Sequence, residues 1–286
     1  MIATAPHRTR PRPHAAPRSA LAALLALLAV TTGPHPGTAV AAGPADFPYD
    51  LDTGRETALL AAGAGLLLTG VLLGSDNEPF TPAQLAQLDP GGVPGLDRAA
   101  LGRWSPRASR ASDRLVTGLV VLPLAEAAMG PGRERGGRLA LMYAQTQLLA
   151  GGVTSLLKHT VQRPRPFAYG DDPRVPDERR LSGTARRSFP SGHAAQSFAA
   201  MTFLATVHGR LQPRGEGWVW AGGLGAAATV GWLRGEAGAH FPTDIVAGAA
   251  IGALAGWLVP RLHEADGAEG PAAAGAGAAL TIGFAF

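Results

Sequence analysis

The sequence contains no cysteine, which excludes disulfides, thiolate metal sites and a cysteine nucleophile. Its eight histidines are scattered, with no HExxH or other close metal-binding pair, so no metal centre is expected. Aromatic residues make up 6% of the 286, too few for a base-stacking surface. The formal charge is only +4, so the high calculated pI reflects arginine use rather than a stripe that would hold nucleic acid. The length allows one or two domains.

Three short stretches carry the chemistry: residues 158–166 (KHTVQRPRP), 190–193 (PSGH) and 234–244 (RGEAGAHFPTD). Phosphoryl transfer needs the non-bridging oxygens held, their growing charge neutralised, and nucleophile and leaving group roughly in line. Arginine suits the first task because its planar fork binds two oxygens and stays charged, while Lys158 adds a compact point charge. Pro164 and Pro166 flank Arg165 and restrict the chain there to extended conformations. A helix ending near Lys158 then lets Lys158 and Arg165 face one anion. Alone, this stretch reads as basic juxtamembrane sequence.

PSGH opens an apolar run that reads as a helix with Ser191 as N-cap. Free N–H groups and the positive end of the helix dipole favour an oxyanion there, and Gly192 leaves the backbone open to it. His193, beside that pocket, is the candidate general acid. A plain serine-capped helix would look the same. In the third stretch, Pro242 occupies a natural first helical position, so Asp244 can reach back toward His240. A carboxylate on one ring nitrogen would fix the tautomer and leave the other free to attack phosphorus. Arg234 would add a second guanidinium. An isolated His–Asp pair at this spacing is more often a helix-start hydrogen bond.

Taken in order, K-x6-RP, PSGH and R-x5-H-x3-D resemble the signature of the type 2 phosphatidic acid phosphatase (PAP2) and vanadium haloperoxidase superfamily. The resemblance spans residues 139–257. It implies that Lys158, Arg165, Ser191, Gly192 and Arg234 hold phosphate, with His193 as acid, His240 as nucleophile and Asp244 as its partner. Leu233 departs from the pattern, since the family often has serine there. The expected activity is metal-independent hydrolysis of phosphate monoesters or diphosphates, lipid phosphates above all, without a cofactor. A soluble acid phosphatase, a vanadate-dependent haloperoxidase and an inactive membrane scaffold are the alternatives.

Around this core, residues 1–41 read as a signal peptide or N-terminal anchor, with arginines before an apolar stretch and a small-residue site at 39–41. Residues 42–56 read as a linker, 57–263 as an all-α bundle, and 264–286 as a Gly/Ala-rich tail whose last seven residues alternate like a strand. About six helices are expected, near 57–74, 113–129, 139–158, 191–208, 218–234 and 242–259, with a capping box starting a short extra helix at Thr81. Several approach the ~20 residues that span a bilayer, and Gly248, Gly252 and Gly256 give one helix a smooth face. The arginine-bearing breaks at 130–138 and 209–217 belong in the cytoplasm by the positive-inside tendency, with the catalytic loops outside. A cleaved signal peptide followed by three full crossings would instead put Lys158 inside. The expectation is a cell-envelope protein in the inner membrane with an outward site, against a soluble periplasmic bundle. Residues 167–189 read as a solvated loop over the pocket.

Overall fold

Each apolar run becomes a helix longer than the run itself. The computed structural model describes residues 47–74, 78–129 and 132–265. Among them are eight α-helices: α1 (Thr53–Gly74), α2 (Pro82–Ala86), α3 (Pro106–Met129), α4 (Arg133–Val161), α5 (Asp177–Arg180), α6 (Gly192–Leu211), α7 (Glu216–Glu236) and α8 (Pro242–Leu262). Six are long, as expected, and the only extended pairing described is an isolated bridge between Tyr49 and Glu264. The architecture is all-α. Charged flanks outside the expected helices in fact continue them: Arg107 and Arg110 ride on α3, and Arg133, Arg135 and Arg138 on α4. A long polar side chain on an exposed turn costs little helix propensity. The capping box at Thr81 is present, with Gln84 N–H donating to Thr81 Oγ1 at 3.2 Å and Thr81 N–H to Gln84 Oε1 at 3.0 Å.

All described residues lie in the compact unit Asp46–Phe286. The core gathers Tyr49, Met142, Tyr143, Met201, Phe203, Val207, Val230 and Val259 between the helices. The tightest packing is α6 against α8. A Cβ added at Gly248, Gly252 or Gly256 would lie 2.3, 2.1 or 2.6 Å from the carbonyl oxygens of Ser191, Ala195 and Ala199. Those three glycines are what lets the two backbones touch, and so they fix the start of α6 beside the start of α8.

Two expectations need correction. Residues 47–56 are not a linker, because Tyr49 is fully buried, Ala265 N–H bonds Pro48 O at 3.0 Å, and α1 starts at Thr53. The aromatic pair Phe47 and Tyr49 anchors an otherwise polar stretch. Residues 167–189 are not a solvated loop either. Phe167, Ala168, Val175 and Ala185 are buried with Phe80 in a small second core, and Val93 and Ala100 pack on Phe241 in a third. The segments 78–105 and 166–187 thus form a cap over one end of the bundle. The proposed signal segment, and the tail from residue 266 on with its alternating end, lie outside the described residues.

Candidate active site

The three sequence stretches meet under that cap. The link between them is the backbone of residues 187–190, the last residues before α6. Lys158, in the final turn of α4, donates from Nζ to Pro190 O at 2.7 Å and to Arg187 O at 3.1 Å. Arg165 leaves the chain just past that helix, donating from Nε to Thr184 O at 2.9 Å and from Nη2 to the same Arg187 O at 3.4 Å. Two cations sharing one carbonyl are a few ångströms apart. That arrangement is costly without an anion between them.

His240 completes the enclosure from the loop between α7 and α8. Its Nδ1 lies 2.6 Å from Ser188 O. A carbonyl only accepts, so Nδ1 carries the proton and Nε2 keeps its lone pair. The ring is 2% exposed. Burial first, then the charges of Arg165, Lys158 and Arg234, hold its pKa well below the usual histidine value, so it is neutral at pH 7. Burial and then the Arg234 charge bring the Arg165 guanidinium down to about 9, which leaves it charged.

Asp244 does not hold the His240 ring directly. Its Oδ2 is 3.9 Å from Nδ1, beyond hydrogen-bond reach. The carboxylate is occupied elsewhere: Oδ2 accepts Phe241 N–H at 2.9 Å and Ser188 Oγ–H at 2.5 Å, and Oδ1 accepts Arg163 Nη1 at 2.6 Å. Asp244 stands at the third position of α8, where capping the N-terminus takes one oxygen. The N-cap residue is Phe241, one later than the sequence suggested. Asp244 therefore acts through Ser188, whose hydroxyl it accepts and whose carbonyl holds the imidazole.

Arg163 and Asp97 were not anticipated. Arg163 bridges Asp244 to Asp97, which accepts its Nη2 at 2.6 Å, and stacks 4.2 Å from the Phe241 ring centroid. Asp97 also accepts Thr243 N–H at 3.0 Å and Thr243 Oγ1–H at 2.7 Å. Burial would raise the Asp97 carboxyl, but the bonds from Arg163 and Thr243 prevail and hold it below its ordinary value. In RPRP the first arginine braces the site and the second lines it. A carboxylate-binding arginine two residues before the phosphate ligand has no sequence mark, and Asp97 sits in no motif at all.

On the opposite wall, Ser191 caps α6, its Oγ 3.4 Å from Ala194 N, and its own N–H bonds Asp244 O at 2.9 Å. The N–H groups of Gly192 and His193 open the helix without intrahelical partners. A Cβ on Gly192 would meet only Lys158 Cε at 3.6 Å and Thr154 Cγ2 at 3.7 Å, ordinary contacts. Packing alone therefore does not require glycine there. His193 Nε2 lies 2.8 Å from Asp113 Oδ1 on α3, a partner with no sequence signal. Arg234, 5% exposed, donates from Nη1 to Ser109 and Ser112 Oγ, each at 3.2 Å, and lies 3.6 Å from the same Asp113 oxygen. Its Nε is buried without a partner. A carboxylate thus joins the candidate acid to the second guanidinium.

All eight residues named from sequence frame this one enclosure. It offers two guanidiniums, the Lys158 ammonium, helix-start N–H groups and a neutral imidazole with one free nitrogen, a set matched to a tetrahedral oxyanion. Burial and then the Arg165 charge bring the Lys158 pKa down to about 7, a cost that a bound anion offsets.

Comparison with known proteins bears on the same segment. Residues 139–268 match the family model described as PAP2 superfamily. A curated relative, the lipid A 1-phosphatase of Porphyromonas gingivalis, is 30% identical over 122 residues, which is 43% of this chain and 23% of that protein. The chain thus covers about a quarter of that relative's length. A crystal structure of a transmembrane PAP2-type phosphatidylglycerolphosphate phosphatase from Bacillus subtilis superposes with a TM-score of 0.43 at 22% identity, over 71% of this chain and 96% of that one.

Proposed function

We propose that this chain, whose residues 139–268 belong to the PAP2 superfamily, is a metal-independent lipid phosphatase that works through a phosphohistidine. The observation that carries the reading is His240: buried, neutral, its Nδ1 proton given to Ser188 O, and its Nε2 left free among Lys158, Arg165 and Arg234.

Nε2 of His240 attacks phosphorus while Lys158, Arg165, Arg234 and the first N–H groups of α6 take up charge on the non-bridging oxygens. The bond from phosphorus to the leaving oxygen breaks, and His193 supplies the proton that oxygen needs. Burial and then the Arg234 charge bring the His193 pKa down to about 4, and the negative charge of the bound phosphate, with Asp113, raises it for that role. Attack makes His240 cationic, and the Ser188 carbonyl on Nδ1, with the Asp244 carboxylate 3.9 Å from that nitrogen, stabilises the charge. Water then attacks the phosphohistidine, gives a proton to His193, and the P–N bond breaks to release inorganic phosphate. The cations neutralise phosphate charge in the way a metal otherwise would.

A lipid substrate is supported by the outer surface. α1 and α8 are long and apolar enough to cross a membrane. Leu68, Leu72, Val246 and Leu254 face outward at 59%, 62%, 68% and 59% exposure, where an aqueous surface would be polar. Trp218 and Trp232 on α7 are exposed as well. The site then lies at one end of an embedded bundle, and phosphatidate, phosphatidylglycerophosphate or polyprenyl diphosphate are the substrates to try.

The test is phosphate release from those three lipids by the full chain in detergent, with and without EDTA, alongside rapid quench for protein-bound phosphate that is acid-labile and base-stable. Turnover is expected to survive chelation and to fall with orthovanadate. Complete loss in chelator, restored by one metal, would overturn the mechanism. Halide oxidation that requires vanadate would move the assignment to a haloperoxidase.

A further inference from the structure

A cavity of about 200 Å³ adjoins the enclosure and has no part in the mechanism above. Its walls are Trp104, Ser109 and Arg110 on one side and Phe167, Arg179 and Ala239 on the other. Three of these share structure with the phosphate site. Ser109 accepts Arg234, Phe167 follows Arg165 by two residues, and Ala239 precedes His240. Asp113, which holds the acid His193, lies one turn beyond Ser109 on α3. The cavity therefore opens on the side from which the leaving group departs.

Its chemistry is divided. Trp104 and Phe167 pack edge to face, centroids 5.7 Å apart, and make an apolar floor. Arg179 holds its guanidinium 5.9 Å above the Phe167 ring, and its charge is among those that push Arg165 down. Among the described residues, no carboxylate lies within 4.0 Å of the Arg110 or Arg179 guanidinium. Asp172, a few residues away, is taken up by Arg174. Two exposed guanidiniums at the rim of the phosphate site extend its positive field outward, so a further anion is favoured in the cavity between them.

We propose that this cavity is a second anion subsite, in which Arg110 and Arg179 bind a further phosphoryl group carried on the leaving-group side of the substrate. The preferred substrates are then diphosphate esters, or phospholipids with a second phosphate close to the one removed, rather than simple lipid monophosphates. The apolar floor receives the short linker between the two groups. This rests on the phosphatase reading, and the test separates the two.

Binding of methylenediphosphonate and of methylphosphonate to the full chain in detergent is measured by calorimetry, for wild type and for Arg110→Gln, Arg179→Gln and the double variant. Neither probe can be hydrolysed, so the result does not depend on turnover. The diphosphonate is expected to bind wild type at least tenfold more tightly, an advantage the double variant loses while methylphosphonate affinity changes less than about threefold. Equal wild-type affinities for the two probes, or equal losses for both in the variants, would overturn the subsite. A parallel assay with farnesyl diphosphate and farnesyl monophosphate is expected to show the variants impaired through KM on the diphosphate alone. Preserved discrimination in binding with no turnover of either ester would sink the phosphatase reading and leave the subsite standing.

Discussion

Two buried histidines sit at opposite ends of the bundle and begin alike. His240 is 2% exposed and His263 fully buried. Each has Nδ1 on a backbone carbonyl, Ser188 O at 2.6 Å and Val259 O at 2.7 Å. They part at the other nitrogen. His263 Nε2 meets Glu56 Oε2 at 2.9 Å, and the same oxygen also takes Gln145 Nε2. His240 Nε2 has no hydrogen-bond partner among the described residues, and three cations surround it. Burial and a fixed ring are common to both; the unspent lone pair in a positive field belongs to one. His263 ties the end of α8 to the start of α1 and to α4. His240 holds a nucleophile ready.

Breaking each histidine gives the sharpest contrast. His240→Ala is expected to lower turnover by on the order of 10⁴-fold or more and to abolish phosphate labelling of the protein, since no nucleophile remains. Labelling equal to wild type would reject the nucleophile even if turnover were lost. Asp244→Asn is expected to lower turnover by roughly 10²–10³-fold and stability by about 2–4 kcal/mol, because Arg163, Ser188 and Phe241 N–H lose their common anion. Asp97 still holds Arg163, which keeps the cost below that of a fully orphaned buried charge.

His263→Ala reverses the pattern. The expected result is a loss of about 2–4 kcal/mol from a cavity and an unpaired Glu56, with kcat/KM within about twofold of wild type below the new melting temperature. An activity loss larger than the stability loss explains would mean that the two ends are coupled.

The same contrast shows what could be read from the chain alone. His240, His193 and the phosphate ligands were legible because their spacing is local: a cap, a helix start, a proline-stiffened strand of chain. Lys158 carries a further mark, as the sole lysine among 25 basic residues. A chain that uses arginine everywhere else keeps lysine at the one place where a compact ammonium reaches two carbonyls. Asp97, Asp113 and Ser188 were not legible. They reach the site through tertiary folding, and their sequence neighbourhoods carry no periodicity or motif. Glu56 and His263 are 207 residues apart, and nothing local pairs them. The helix ends differ for another reason: an arginine on the chain marks no break, because its long stem rides on the helix while its charge reaches solvent, a carboxylate or a ring.

Glycine offers a second form of the comparison, with smaller effects. Gly252→Ala drives a methyl to 2.1 Å from Ala195 O, so the α6–α8 contact must open, at a cost of about 1–3 kcal/mol. Gly192→Ala meets only ordinary contacts and is expected to leave the melting temperature within about 2 °C. Its methyl would instead narrow the space between Lys158 and the start of α6, raising KM by roughly tenfold. A destabilised but fully active Gly192→Ala would show that this glycine serves packing after all.

The smallest expected effect concerns pH and only His240. The folded ring resists protonation, whereas the unfolded chain protonates near the ordinary value of 6.5. Above that pH both states are neutral and the residue adds no slope. As pH falls below 6.5, the unfolded state binds a proton that the folded state does not, so stability declines by up to about 1.4 kcal/mol per pH unit until the folded pKa is reached. His240→Gln removes that proton from the balance. Thermal melts of the two proteins are therefore expected to run parallel from pH 8 to 7 and to converge or cross between pH 6 and 5, with the variant the less acid-sensitive. Parallel curves down to pH 5 would mean that the folded protein takes up the proton as readily as the unfolded chain, and the neutral, attacking imidazole on which the mechanism depends would not exist at that pH.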